Sequence, residues 1–177
     1  MLSNIQTKPN VANEPEDAIS LLLGCHQRIR HFTQVALRLA ENPHAPASDR
    51  ADAARSVLRY FQIALPLHEA DENESVYPRL HEKLRAGELS EANETMVRQH
   101  TEIDRVIADL IPRWQSHLDS GQVSADANLL AITEHLQQLW AIHLALEEEQ
   151  VIPAMREHLT QDDLNSIRAE MTARRQR

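Results

Sequence analysis

Apolar residues recur at three- and four-residue steps along most of the chain, the period of a helix that buries one face. Ile19, Leu22, Leu23, Ile29, Val35 and Leu39 mark the first such stretch, which runs to about Glu41. Pro15-Glu16-Asp17 supplies its start, with proline in the first turn and acids facing the positive helix end. Asn42-Pro43-His44-Ala45-Pro46 breaks the pattern. A second stretch, capped by Ser48 or Asp49, extends to about Arg85 and is closed by Gly87. A third begins near Ser90, continues to about Leu118, and ends at Asp119-Ser120-Gly121. A fourth starts near Ser124 or Asp126 and reaches about His158, and a short fifth covers roughly 161–174. Residues 1–14 are polar, contain Pro9 and lack periodicity, so a flexible arm is expected there.

Four long helices with short connections predict an all-α, up-down-up-down four-helix bundle over 15–158, followed by a short C-terminal helix or tail over 159–177. Pro66, Pro78, Pro112 and Pro153 fall inside predicted helices, where each should kink the rod or mark a local break.

Composition agrees with helix and narrows the function. Three glycines and two each of Trp, Tyr and Phe among 177 residues leave little material for sheet, and too few glycines for a nucleotide-cradling loop. The formal charge of -9 argues against a nucleic-acid partner. The basic run Arg174, Arg175, Arg177 is too short to reverse that and is expected to be a solvated helix end. No apolar run is long enough to span a bilayer, and no secretory signal is recognised, so no membrane partner and a soluble, cytoplasmic protein are expected. A single cysteine, Cys25, excludes an intrachain disulfide and a zinc–thiolate cluster and is expected to be a small buried residue. The ten histidines are the unusual count.

They are explained in part by an internal repeat. Residues 68–78 read His-Glu-Ala-Asp-Glu-Asn-Glu-Ser-Val-Tyr-Pro and residues 143–153 read His-Leu-Ala-Leu-Glu-Glu-Glu-Gln-Val-Ile-Pro. A shift of 75 superposes His68 on His143, Glu72 on Glu147, Val76 on Val151 and Pro78 on Pro153. Upstream, His26-x-x-Ile29 and His100-x-x-Ile103 correspond at a shift of 74. The chain therefore reads as two similar hairpins, each with one histidine on its first helix and His-x-x-x-Glu on its second.

Residues i and i+4 share a helix face, so His68 projects with Glu72 and His143 with Glu147. Phe61 and Leu65 precede His68 on the same face, as Leu136 and Trp140 precede His143. The pairs thus continue an apolar stripe and point into the core, where a bare carboxylate is costly unless paired or coordinated. His26, His68, Glu72, His100, His143 and Glu147 form the predicted metal-ligand set. Imidazole and carboxylate without thiolate suit iron, manganese or zinc, and six ligands suit two ions sharing bridging glutamates. Asp71, Glu74, Glu148 and Glu149 are expected to form a solvated acidic face. His31, His44, His81, His117, His135 and His158 lack repeat partners and are expected to be solvated or interfacial. Trp140 and Tyr77 are expected in the core rather than in electron transfer.

At these residues, from His26 to about Pro153, the sequence resembles the hemerythrin-like, or HHE cation-binding, family. The resemblance implies two non-haem iron ions, joined by an oxo or hydroxo group. His26 and His68 would bind one iron, His100 and His143 the other, and Glu72 and Glu147 would bridge them. Glu69 is a further candidate ligand of the first iron. Asp104 stands where invertebrate oxygen carriers have a second histidine on the third helix, and His143-x-x-x-Glu147 replaces their His-x-x-x-x-Asp. Both departures resemble the bacterial and eukaryotic HHE branch and point away from simple reversible oxygen carriage. The expected ligand is a small diatomic or peroxide. The function class implied is a diiron protein binding or reacting with O2, peroxide or NO, with iron binding, sensing or storage without turnover as the alternative. A metal-free helical interaction module is the third class.

Overall fold

The computed structural model describes residues 17–84, 87–119, 126 and 128–176. The expected arm at 1–14 and the assignments at Pro15, Glu16, Arg85, Ser120, Gly121, Ser124 and Arg177 lie outside these. The described residues form five helical rods and no strand. α1 is Ala18–Glu41, opened by Asp17, whose carboxylate accepts the Ser20 amide at 2.6 Å. α2 covers 47–83 and ends where Leu84 turns extended. Gly87 then adopts φ +150°, a conformation that glycine alone tolerates readily. α3 is Glu88–Asp119. α4 covers 129–158, preceded by Asp126, whose carboxylate accepts the Asn128 amide and pairs with Arg113. α5 is Gln161–Arg174, begun by a capping box in which Thr160 and Asp163 satisfy each other's backbone amides. The fourth rod begins at Leu129, a few residues later than the pattern suggests, where the Leu129 amide donates to the Asp126 carbonyl.

α1 packs against α2 and α4, and α3 packs against the same two, closing a four-membered ring of consecutive helices. α5 lies across the outside, against α1 and the C-terminal half of α2. Two apolar layers fill the ring. One contains Ile29, Phe61, Leu65, Ile103, Leu136 and Leu144; the other contains Leu22, Val76, Met96, Val151, Met155 and Ile167. In the first three rods the predicted ligands fall between these layers; in the fourth, Glu147 does, and His143 stands beside Leu144 of the first layer. The predicted ligands thereby have hydrocarbon on both sides.

Three of the four prolines mark a local break of one kind. α2 contains wide π turns at Tyr60–Ala64 and Asp71–Val76, and α4 contains one at Glu147–Val151. In each, the residue before the proline donates to a carbonyl five back: Leu65 to Tyr60, Tyr77 to Glu72, Ile152 to Glu147. A proline has no amide to donate and its ring crowds the carbonyl four residues earlier, so a widened turn immediately before it relieves both problems. Pro112 differs, since α3 runs through it without such a turn.

Candidate metal centre

Each site histidine and glutamate is there because a helix face puts it there. His26 on α1 and His100 on α3 each sit three residues before a fully buried isoleucine, Ile29 and Ile103. His68 and Glu72 on α2, and His143 and Glu147 on α4, follow the buried stripes Phe61–Leu65 and Leu136–Trp140. The glutamates stand in the two π turns that precede Pro78 and Pro153. All six side chains are buried, at 0–4% exposure.

They converge. His26, His68, Glu72 and Glu147 place ligand atoms within 4.8 Å of one another, and so do Glu72, His100, His143 and Glu147. The two groups share both carboxylates. Glu72 turns one oxygen to His68 Nε2 at 3.2 Å and the other to His100 Nε2 at 3.1 Å. Glu147 turns one oxygen to His143 Nε2 at 3.0 Å and the other to His26 Nε2 at 3.0 Å. Each glutamate therefore spans one histidine of each group.

These contacts are short, yet they lack hydrogen-bond geometry: all four Nε2 atoms, both Glu147 oxygens and Glu72 Oε2 are buried without a hydrogen-bond partner among the described residues. Nitrogen and oxygen point past each other toward a common space. Two ligands about 2.1 Å from one cation, at right angles, stand about 3.0 Å apart, which matches these separations. Buried polar atoms left unpaired cost free energy, so the donor set is one that a cation completes. The group fits a metal site.

The far ring nitrogens explain why Nε2 faces inward. His26 Nδ1 lies 2.9 Å from Glu148, His100 Nδ1 lies 3.1 Å from Asn73 Oδ1, and His143 Nδ1 lies 3.0 Å from Gln99 Oε1. An acceptor at Nδ1 holds the proton there and leaves the Nε2 lone pair free for a cation. Among the described residues, His68 Nδ1 has no such partner. Glu148 is in turn gripped by Arg30 through two bonds of 2.9 Å. Glu148, expected on a solvated face, is instead half-buried and an acceptor to a site histidine. The repeat carried the missing signal: Asn73 and Glu148 superpose at the 75-residue shift, and each follows its glutamate and serves the histidine of the neighbouring helix.

Electrostatics follow from burial and from crowding of like charges. Burial holds His68 down to about 3, so its imidazole stays neutral. Burial also pulls His26 down, but the Glu147, Glu72 and Glu148 carboxylates outweigh it and raise the group above its ordinary value. The two carboxyls split: burial and the Glu147 charge push Glu72 well upward. Glu147, pushed up by burial, is held well below the carboxylate range by His143 and His26. Two carboxylates this close cannot both ionise cheaply unless positive charge lies between them.

Other expectations met different fates. Glu69 belongs to neither ligand group; burial and the Asp104 carboxyl beside it raise it to about 7. Asp71 is fully buried rather than solvated, and Arg174 and Arg175 reach it at 2.9 and 2.6 Å instead of ending in water. A buried carboxylate demands such partners, and two guanidiniums at the end of α5 supply them. Glu74 and Glu149 are exposed, as expected. His31, His44, His81 and His135 are also exposed, whereas His117 is buried beside the Trp114 turn. Trp140 is in the core with its ring against His143, centroids 5.4 Å apart. Tyr77 is half-buried and stacks on His81, a surface residue. Cys25 is buried, its Sγ accepting from Arg28 at 3.0 Å, and burial pushes the thiol up.

No helix among the described residues is long and apolar enough to cross a membrane. An uncharacterized protein of Haemophilus influenzae is 26% identical to the chain over 166 residues, spanning 93% of this chain and 91% of that one. The family model for the hemerythrin HHE cation-binding domain matches residues 17–155, a span that includes all four bundle helices up to Met155 and every one of the six convergent side chains. With that match, the chain belongs to the hemerythrin HHE cation-binding family.

Proposed function

We propose that this chain is a non-haem diiron protein that binds or reacts with dioxygen or a related small oxidant, peroxide or nitric oxide. One observation carries the reading: two four-residue ligand groups that share both glutamates. His26 and His68 would hold one iron, His100 and His143 the other, with Glu72 and Glu147 spanning the two. Iron is assigned because imidazole and carboxylate together suit a redox-active first-row metal, and paired carboxylates suit two of them. When bound, the metals supply the electron transfer that side chains alone lack.

What this chain's own residues do is geometric and protective. Glu148, Asn73 and Gln99 orient three of the imidazoles. The apolar layers around Ile29 and Ile103 on one side, and Val76 and Val151 on the other, flank the six side chains and screen them from water.

A second reading, iron binding for sensing or storage without turnover, is favoured by the same two buried carboxyls, since metal uptake would then stabilise the fold itself. Metal analysis of untagged protein, followed by stopped-flow mixing of the diferrous form with oxygen, peroxide and nitric oxide, separates the cases. About two iron per chain and a fast response to at least one oxidant are expected for the leading reading. Iron without response to any of the three selects the second, and absence of iron after reconstitution removes both.

A further inference from the structure

We infer that α5 carries positioning residues for the metal centre: Arg174 and Arg175, acting through Asp71, hold the wide turn that presents Glu72. The inference rests on the proposed role of Glu72 as a metal ligand.

Asp71 immediately precedes Glu72, so its side chain points about 100° round the helix, away from the centre and toward α5. It is fully buried. Each of its oxygens receives its own guanidinium: Arg174 Nη1 donates to Oδ1 at 2.9 Å, and Arg175 Nη2 to Oδ2 at 2.6 Å. The contacts then spread over the rest of the turn. Arg174 donates to Glu74 at 3.1 Å and to Ser75 Oγ at 2.9 Å. Ser75 Oγ donates to Glu170 at 2.5 Å, and Glu170 is also gripped by Arg79 at 2.7 Å.

Positions 71, 74 and 75 all belong to the π turn Asp71–Val76, whose defining bond runs from the Tyr77 amide to the carbonyl of Glu72 itself. The clamp therefore grips the same turn that sets where the Glu72 carboxylate lies. A wide turn is poorer in hydrogen-bond geometry than an α turn and persists where its surroundings hold it.

Comparison with the other half of the repeat isolates the feature. The positions equivalent to 71, 74, 75 and 79 are Leu146, Glu149, Gln150 and Ala154. Leu146 and Ala154 pack into the apolar layer, and Glu149 is exposed. Glu147 is thus presented by hydrocarbon packing and Glu72 by an ionic clamp. That clamp comes from α5, which lies beyond the residues 17–155 matched by the family. It also reaches α1, since Arg175 Nη2 stands 3.8 Å from Cys25 Sγ, next to His26.

The test uses the full chain loaded with iron, comparing wild type with the double variant Arg174→Gln/Arg175→Gln. Three quantities are read: iron release to a chelator, the absorption spectrum of the oxidised centre, and helix content with melting temperature. The Gln pair should release iron about tenfold faster or more and shift the spectrum, because residues that orient ligands are worth that much. Arg174→Lys/Arg175→Lys should fall between the two. Ile167→Ala, which loosens the packing of α5 and leaves the ion contacts, should lower the melting temperature with release and spectrum kept. If the double Gln variant does not fold, Arg175→Gln alone is read the same way. Wild-type release and spectrum in the folded Gln variants would overturn the clamp, as would equal acceleration by Ile167→Ala. Wild-type protein that takes up no iron would instead overturn the metal centre itself.

Discussion

The acceptor at His26 offers a direct measure of how the outer residues tune the centre. Glu148 is the one carboxylate among the three Nδ1 acceptors; Asn73 and Gln99 are neutral amides. Its distance to His26 is 2.9 Å, and Arg30 fixes it from the far side through two further bonds. A hydrogen bond to a charged group contributes about 1.5–3 kcal/mol. Glu148 is 32% exposed, so water screens part of that, leaving about 1–2 kcal/mol. At 1.4 kcal/mol per decade, Glu148→Ala should weaken metal binding about 5- to 30-fold. Glu148→Gln keeps an acceptor and should lose less, and Asn73→Ala should lose less than Glu148→Ala. Competition against a chelator of known affinity reads these constants, and circular dichroism checks that the variants remain folded. Equal losses at Glu148 and Asn73, or no loss at Glu148, would refute the claim that the carboxylate makes His26 the stronger base. Arg30→Ala should cost little by itself in the Glu148→Ala background, because it acts through Glu148.

Three further outcomes follow from the same geometry. Glu72→Ala and Glu147→Ala should each cut iron content well below two per chain by metal analysis, since each carboxylate serves both ligand groups; full occupancy in both would mean the ligand assignment is wrong. Removing both metals should lower the melting temperature by about 10–20 °C when free metal had stood 100-fold above each site's dissociation constant, about 5.4 kcal/mol of linkage from two sites in a chain of this size; calorimetry of apo and loaded protein reads it. Asp163 is held below its ordinary value of 3.8 by Lys83 and by Thr160. The unfolded chain therefore binds the extra proton first, and the stabilisation, present above that value, is lost as pH falls below it. Asp163→Asn should lower the melting temperature at neutral pH, where the stabilisation is present, and flatten its fall between about pH 5 and pH 3.

Helix positions were readable from the chain because they depend on neighbours in sequence. The apolar period, the acids at the start of the first helix and the break at Asn42–Pro46 all act within a few residues. The six converging side chains were readable for a related reason: i, i+4 spacing fixes a shared face, and the apolar stripe says that face is inward. The repeat then pairs the halves. The wide turns were not readable as such, because a change of hydrogen-bond register leaves the apolar period almost intact; only their prolines announced some break.

What the tertiary structure alone decided concerns partners distant in sequence. Glu148 meets His26 across 122 residues, and Arg174 and Arg175 meet Asp71 across 103 and 104. Nothing local distinguishes these charges from solvated ones such as Glu149 and Glu74. An acid beside a ligand and an arginine at a helix end look the same in sequence whether they face water or each other. Their burial depends on which helix lies opposite, and packing of the rods, rather than residue type, makes that choice.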